Sequence, residues 1–171
     1  MPETALVVEV PEAEPFVAEW RAKYDWSAQR GVPAHITILY PFVERERIDD
    51  ALLDDLRALF AAQAPLEFSL TELRRFPDGT LWLAPDPADL FTKLTEAVVD
   101  RYPEYPPYEG IHEEVIPHLT IGDGMNSPPR DEIEAAVTPS LPLRASANAA
   151  TLFTEGDDGM WSTAHTFTLG K

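Results

Sequence analysis

The sequence predicts an α+β fold built twice over, two lobes of mainly antiparallel strands with helices outside them. Three observations carry this expectation. Stripes of helical period alternate with hairpin signals along the chain. The order of elements recurs from residue 80 onward. At matching places in the two halves, the same short polar pattern interrupts an apolar strand.

The elements follow in order. Residues 5–10, ALVVEV, read as a strand. The next segment has Pro15 near a helix start and Phe16, Trp20 and Tyr24 at helical spacing. HITILY, residues 35–40, is a second strand. Ile48, Leu52, Leu56, Leu59 and Phe60 form the stripe of a helix over 48–63. Residues 65–76, a Pro-Asp-Gly turn at 77–79 and TLWLAP make a hairpin. Asp86-Pro87 opens a helix whose apolar face is Leu90, Phe91, Leu94 and Val98. A loop over 102–117 leads into HLTIG, then a brief helix over 128–137. Finally 141–156 reads as one strand that pairs, through Asp-Asp-Gly at 157–159, with 160–170. Phe76 and Trp82 in the first hairpin correspond to Phe153 and Trp161 in the second. No Gly/Ser or charged linker divides the halves, so residues 1–171 are expected to form a single bilobal domain.

Charge narrows the ligands. Thirty acidic residues against 13 basic leave a net charge of −17. A field of that sign repels polyanions, whereas nucleic-acid binders show a basic footprint. Any phosphate-bearing ligand must be held by a local site against this field, which favours small or short ligands over a long duplex such as DNA. No apolar run reaches the ~20 residues of a membrane span, and the N-terminus lacks a basic, then apolar, leader. A cytoplasmic monomer without membrane contact is expected. The chain has no cysteine, which removes disulfides and thiolate metal sites.

The recurring pattern is His-x-Thr. In GVPAHITILYPF, His35 and Thr37 share one strand face while Ile36 and Ile38 take the other. In EEVIPHLTIG, His118 and Thr120 do the same beside Leu119 and Ile121. If a twofold brings these strands together, two imidazoles and two hydroxyls meet in one cleft. Histidine titrates near neutrality, so one copy can take a proton and the other give one. Threonine hydroxyls are short, stiff donors suited to the non-bridging oxygens of a phosphate between them. Such a set fits displacement at phosphorus with no cofactor or metal. His112 and His118, six apart with Glu113 and Glu114, match no metal-ligand spacing.

Both motifs, with the terminal MWSTAHTFTLG, resemble the 2H phosphoesterase superfamily, and within it bacterial proteins of the 2′-5′ RNA ligase, LigT-like family. The resemblance covers essentially the whole chain. It implies a duplicated fold of two mainly antiparallel sheets around a central cleft, with cyclic phosphodiesterase activity on 2′,3′-cyclic or 2′-linked esters. It makes His35 and His118 the catalytic pair, and Thr37 and Thr120 the phosphate-binding hydroxyls. Which histidine is acid stays open. Two rivals stand beside this: an RNA end-processing 2′-5′ RNA ligase, and a nucleotide- or RNA-binding module without turnover.

Other residues near the motifs are weaker candidates for lining substrate. Tyr40 and Phe42 follow the first motif, and Tyr105 and Tyr108 precede the second, where rings can stack on a base. Arg30 lies just before the first motif, and only one of Arg74 and Arg75 can face a given cleft. His165 is expected on the same strand face as Trp161 and Phe167.

Overall fold

The computed structural model describes residues 2–111 and 115–170. In chain order the elements are β1 (Thr4–Glu9), α1 (Glu14–Tyr24), α2 (Trp26–Gln29), β2 (His35–Leu39), α3 (Asp50–Ala61), β3 (Leu66–Arg75) and β4 (Leu81–Asp86). There follow α4 (Asp89–Arg101), β5 (Leu119–Gly122), α5 (Arg130–Val137), β6 (Leu143–Ala147), β7 (Ala149–Glu155) and β8 (Trp161–Thr168).

Local chemistry sets the boundaries. Pro15 sits in the first turn of α1, where a missing N–H removes no helical bond. Asp49 caps α3, accepting from the Leu52 N–H at 2.8 Å. Buried Leu56 and Phe60 turn α3 toward the sheet, and Phe60 stacks on Phe167 of β8 at 5.6 Å. Phe91, Leu94 and Val98 do the same for α4, with Phe91 edge-on to Phe68. Both hairpins close alike. Asp78 Oδ1 accepts from Thr80 N and Asp158 Oδ1 from Met160 N, each at 2.9 Å. The glycine after each aspartate takes positive φ, +98° at Gly79 and +80° at Gly159, which side chains with a Cβ resist.

All strand pairs are antiparallel, and the sheet runs β6-β3-β4-β5-β2-β1-β7-β8. The two sheets expected are thus the halves of one continuous sheet, joined where β2 meets β5. That seam has one registered pair, Ile36 opposite Leu119. Helices cross it: α1 packs on β5 and α4 on β2. Thr95 of α4 donates to the Ile38 carbonyl at 2.7 Å, and Asp123 N donates to the Tyr24 carbonyl at 2.9 Å. The main core lies between helices and sheet, around Leu6, Val8, Ile36, Ile38, Leu119 and Ile121. A smaller cluster of Ala5, Val7, Val32, Phe153 and Trp161, with Tyr40 against it, lies on the other, open face.

Two strand readings are corrected. Residues 141–156 form two strands, because the chain bends at Asn148: β6 pairs with β3, while β7 lies between β1 and β8. In β8 the register slips, with Leu152 opposite His165 but Phe153 opposite Thr163. The extra residue sends Trp161 to the open face and Phe167 to the helix-covered core. Counted outward from the seam, β4 answers β1 and β3 answers β7, as the repeat orders them. β8 is answered by β6 and not by β4, so Trp82 and Trp161 are not equivalent in space.

Candidate active site

The site lies on the open face at the seam. With Ile36 opposite Leu119 in an antiparallel pair, His35 falls opposite Thr120, and Thr37 opposite His118. The apolar neighbours Ile36, Ile38, Leu119 and Ile121 are buried in the main core, and the four polar residues are half-buried on the opposite face. The tetrad is therefore a consequence of strand alternation on both sides of one register.

Each histidine is held by the same local bond. His35 Nδ1 lies 2.8 Å from the Pro33 carbonyl, and His118 Nδ1 lies 2.7 Å from that of Ile116. A carbonyl only accepts, so Nδ1 carries the proton in both neutral rings, and Nε2 is the nitrogen left for chemistry.

Their surroundings differ. Burial, then the Arg21 guanidinium and the His118 ring, push His35 down to about 4. Burial also lowers His118, but the carboxylates of Asp25 and Asp78 pull it back toward the charged form. Arg21 is itself buried, bonded through Nε to Asp25 Oδ2 at 3.0 Å and through a terminal nitrogen to the Val32 carbonyl at 3.0 Å. Asp25 also accepts from Ser27 N and Oγ, and burial raises its carboxyl against the pull of Arg21. This network fixes the turn leading into His35. His118 instead meets aromatic rings: Phe76 edge-on at 5.1 Å and Trp82 at 5.9 Å, the two stacked 4.6 Å apart.

On the His118 side the face opens into a recess of about 700 Å³. Its walls include Trp26, Phe76, Tyr108 and Met125, with Asp25, Asp78 and Asp123 among them, and both His118 and Thr120 reach it.

The remaining candidates divide. Tyr108 lines the recess; burial raises its phenol against a hydrogen bond with Thr37. Its backbone N–H donates to the Tyr40 carbonyl at 2.7 Å. Tyr40 stands behind it, edge-on to Tyr108 and Trp161, with its hydroxyl donating to Glu3 at 2.7 Å. Arg30 stacks 4.2 Å over Trp26, reaching the recess only through that ring. Of the arginine pair, Arg74 is on the site face, 5.8 Å over Trp82 and bonded to Glu72. Tyr105 packs away from the tetrad, against Phe42.

Phe42 and His165 are corrected as substrate-lining residues. Phe42 is buried in the main core, edge-on to Tyr102 and Tyr105. His165 lies against Phe167, whose ring is in that core, because the β8 register slip turns it from the tetrad's face. His112, Glu113 and Glu114 lie outside the described residues; among those described, no three metal-ligating side chains cluster.

Sequence reasoning missed Trp26, Phe76, Asp78, Asp123 and the Arg21–Asp25 pair. The i, i+4 spacing of Arg21 and Asp25 was a readable signal. The others sit in turns and caps, and only the fold brings them to the histidine.

Comparison with known proteins identifies a family and a matching fold. A sequence model described as the 2′-5′ RNA ligase superfamily covers residues 9–159. A Geobacillus kaustophilus (strain HTA426) protein named "Putative phosphoesterase GK0864" is 24% identical over 159 residues, spanning 91% of this chain and 88% of that one. Among solved structures, E. coli LigT complexed with 3′-AMP aligns over all of both chains with a TM-score of 0.65 at 15% identity. TT0787 of Thermus thermophilus aligns over 99% of this chain and 98% of its own, with a TM-score of 0.60 at 19% identity. The chain has the fold of the LigT structures and belongs to the 2′-5′ RNA ligase superfamily.

Proposed function

We propose that this protein is a metal-independent phosphoesterase that opens 2′,3′-cyclic or 2′-linked phosphodiesters of nucleotides or short RNA. The observation that carries the reading is the antiparallel seam, which sets His35 across from Thr120 and Thr37 across from His118, with both histidines held at Nδ1. A phosphate seated there has a hydroxyl and an imidazole on each side. Thr37 and Thr120 donate to its non-bridging oxygens, where charge grows in the transition state.

His35 is held neutral more firmly, and it serves as the base. It takes a proton from water as the water oxygen bonds to phosphorus. The phosphorus–ribose oxygen bond opposite breaks, and that oxygen takes a proton from the His118 imidazolium, whose cation Asp25 and Asp78 favour. The nucleoside then leaves on the side where the recess lies. Small nucleotides suit this site; E. coli LigT structures hold 3′-AMP, ATP and NADP+. Ligation of RNA ends, the activity in the superfamily's name, is the second reading.

The test is hydrolysis of 2′,3′-cyclic AMP by purified protein in excess EDTA, followed by ³¹P NMR. Ring opening that survives the chelator is expected. Activity that vanishes with EDTA, or persists in full in His118→Ala, would overturn the reading.

A further inference from the structure

The recess beside His118 has more character than a catalytic cleft requires. Trp26, Ile116 and Met125, three of the chain's exposed large apolar side chains, all line it, at 42%, 40% and 96% exposure. Below them are the rings of Phe76 and Tyr108. Apart from His118 at its tetrad end, its titratable carboxylates set the sign: Asp25, Asp78 and Asp123, with no lysine or arginine among the described lining residues. Arg21 answers Asp25 from within the protein. Asp78 and Asp123 have no such cation in bonding distance among the described residues; backbone and amide N–H groups hold them. Asp78 accepts from Thr80 N, and Asp123 from Trp26 N, Asn126 N and the Asn126 side chain. Those donors are fixed by the hairpin turn and a helix cap, so the carboxylates cannot swing away.

Beyond the tetrad end, a flat apolar group fits these walls better than an anion does. Building on the phosphoesterase reading, we propose that the recess takes the nucleoside half of the substrate as an uncharged group, and that Asp78 and Asp123 select against a second phosphate there. The catalytic phosphate sits at the tetrad end, where His118 and Thr120 reach the recess, and it takes up the two threonine hydroxyls and the imidazolium. A 5′-phosphate on the same ribose would instead enter the recess or its mouth, among fixed carboxylates and without a countercharge. The substrate class is thus a 2′,3′-cyclic nucleotide whose 5′ end is a free hydroxyl.

The experiment compares kcat/KM for 2′,3′-cyclic AMP with and without a 5′-phosphate. It is paired with calorimetric binding of 3′-AMP and adenosine 3′,5′-bisphosphate. Like charges held near one another at a partly exposed site predict a preference of about tenfold or more for the 5′-hydroxyl compound in low salt. The gap should shrink as salt screens it. Asp78→Asn and Asp123→Asn keep an acceptor oxygen for the turn and the cap, and each should narrow the ratio by about threefold. Equal or better use of the 5′-phosphorylated substrate, or a ratio that neither variant nor salt moves, would overturn the proposal. So would failure of both AMP species to bind. If no cyclic ester is opened but the bisphosphate binds more weakly than 3′-AMP, the charge-selective recess stands and the catalytic reading falls.

Discussion

The two halves of the site share a motif and differ in everything around it. His35 and His118 sit on paired strands, each two residues before a threonine, each bonded at Nδ1 to the carbonyl two residues back. Beyond that point the halves part. His35 faces a buried arginine and a tight turn, while His118 faces stacked aromatic rings, two carboxylates and a recess. Duplication supplies the same residues twice, and environment gives them different electrostatics. A free imidazole is poised between acid and base, and a neighbouring charge of either sign tips it.

The strongest way to break the comparison is to remove one side. His118→Ala and His35→Ala should each lower kcat by about 10²–10⁴, and the double variant little further, because the two act on one transition state. Steady-state hydrolysis of a cyclic nucleotide measures this, and fully additive losses would mean that the rings act independently. Next come the hydroxyls. Thr37→Ala and Thr120→Ala should each cost about 10–10² in kcat, less than a histidine, since each removes one donor. A loss confined to KM would place the threonines in ground-state binding only.

A pH profile sharpens the contrast. kcat/KM reports the free protein, so its acidic limb should follow His35, near 4. Its alkaline limb should follow His118, which burial holds below the ordinary value of 6.5. The optimum then lies on the acid side of neutral, lower than the near-neutral bell that two unperturbed histidines would give. Asp78→Asn should move the alkaline limb lower still, because it removes support for the His118 cation. The smallest effect is on stability. A histidine depressed by folding binds its proton more weakly in the native state, so stability falls as pH drops from 6.5 toward 4. In His35→Gln the decline of Tm across that window should be shallower than in the wild type, and an unchanged slope would show that His35 is not the group that resists protonation.

The placement of the four residues was legible because strand alternation is strict: a histidine and a threonine two apart on a strand, with one apolar residue between them, must share a face. Its twofold partner was legible because the pattern recurs at the same place in the repeat. What the sequence left hidden depended on register. Phe42 follows the motif as closely as Tyr40 does, yet its ring packs on Tyr102 and Tyr105 in the core. His165 was placed by alternation from Trp161, and one extra residue in β8 reversed it. The joining of two sheets into one was equally unreadable, since a seam one registered pair wide leaves almost no local signature. The acidic and aromatic walls come from turns and caps scattered over a hundred residues, where composition says surface and only folding says site.

That seam also governs when the molecule can be finished as it is made. β1 lies between β2 and β7, pairing Thr4 with Thr154 and Ala5 with Phe153. α1, translated well before β5, packs on it. The early segments thus leave the ribosome with apolar faces whose partners are still to be synthesised, and contacts this distant in sequence close slowly. The N-terminal half has no complete sheet of its own to fold into: β2 waits for β5 before His35 and His118 can meet, and β1 waits longer still for β7. A chain interrupted before β5 carries His35 and Thr37 without the strand that pairs with theirs.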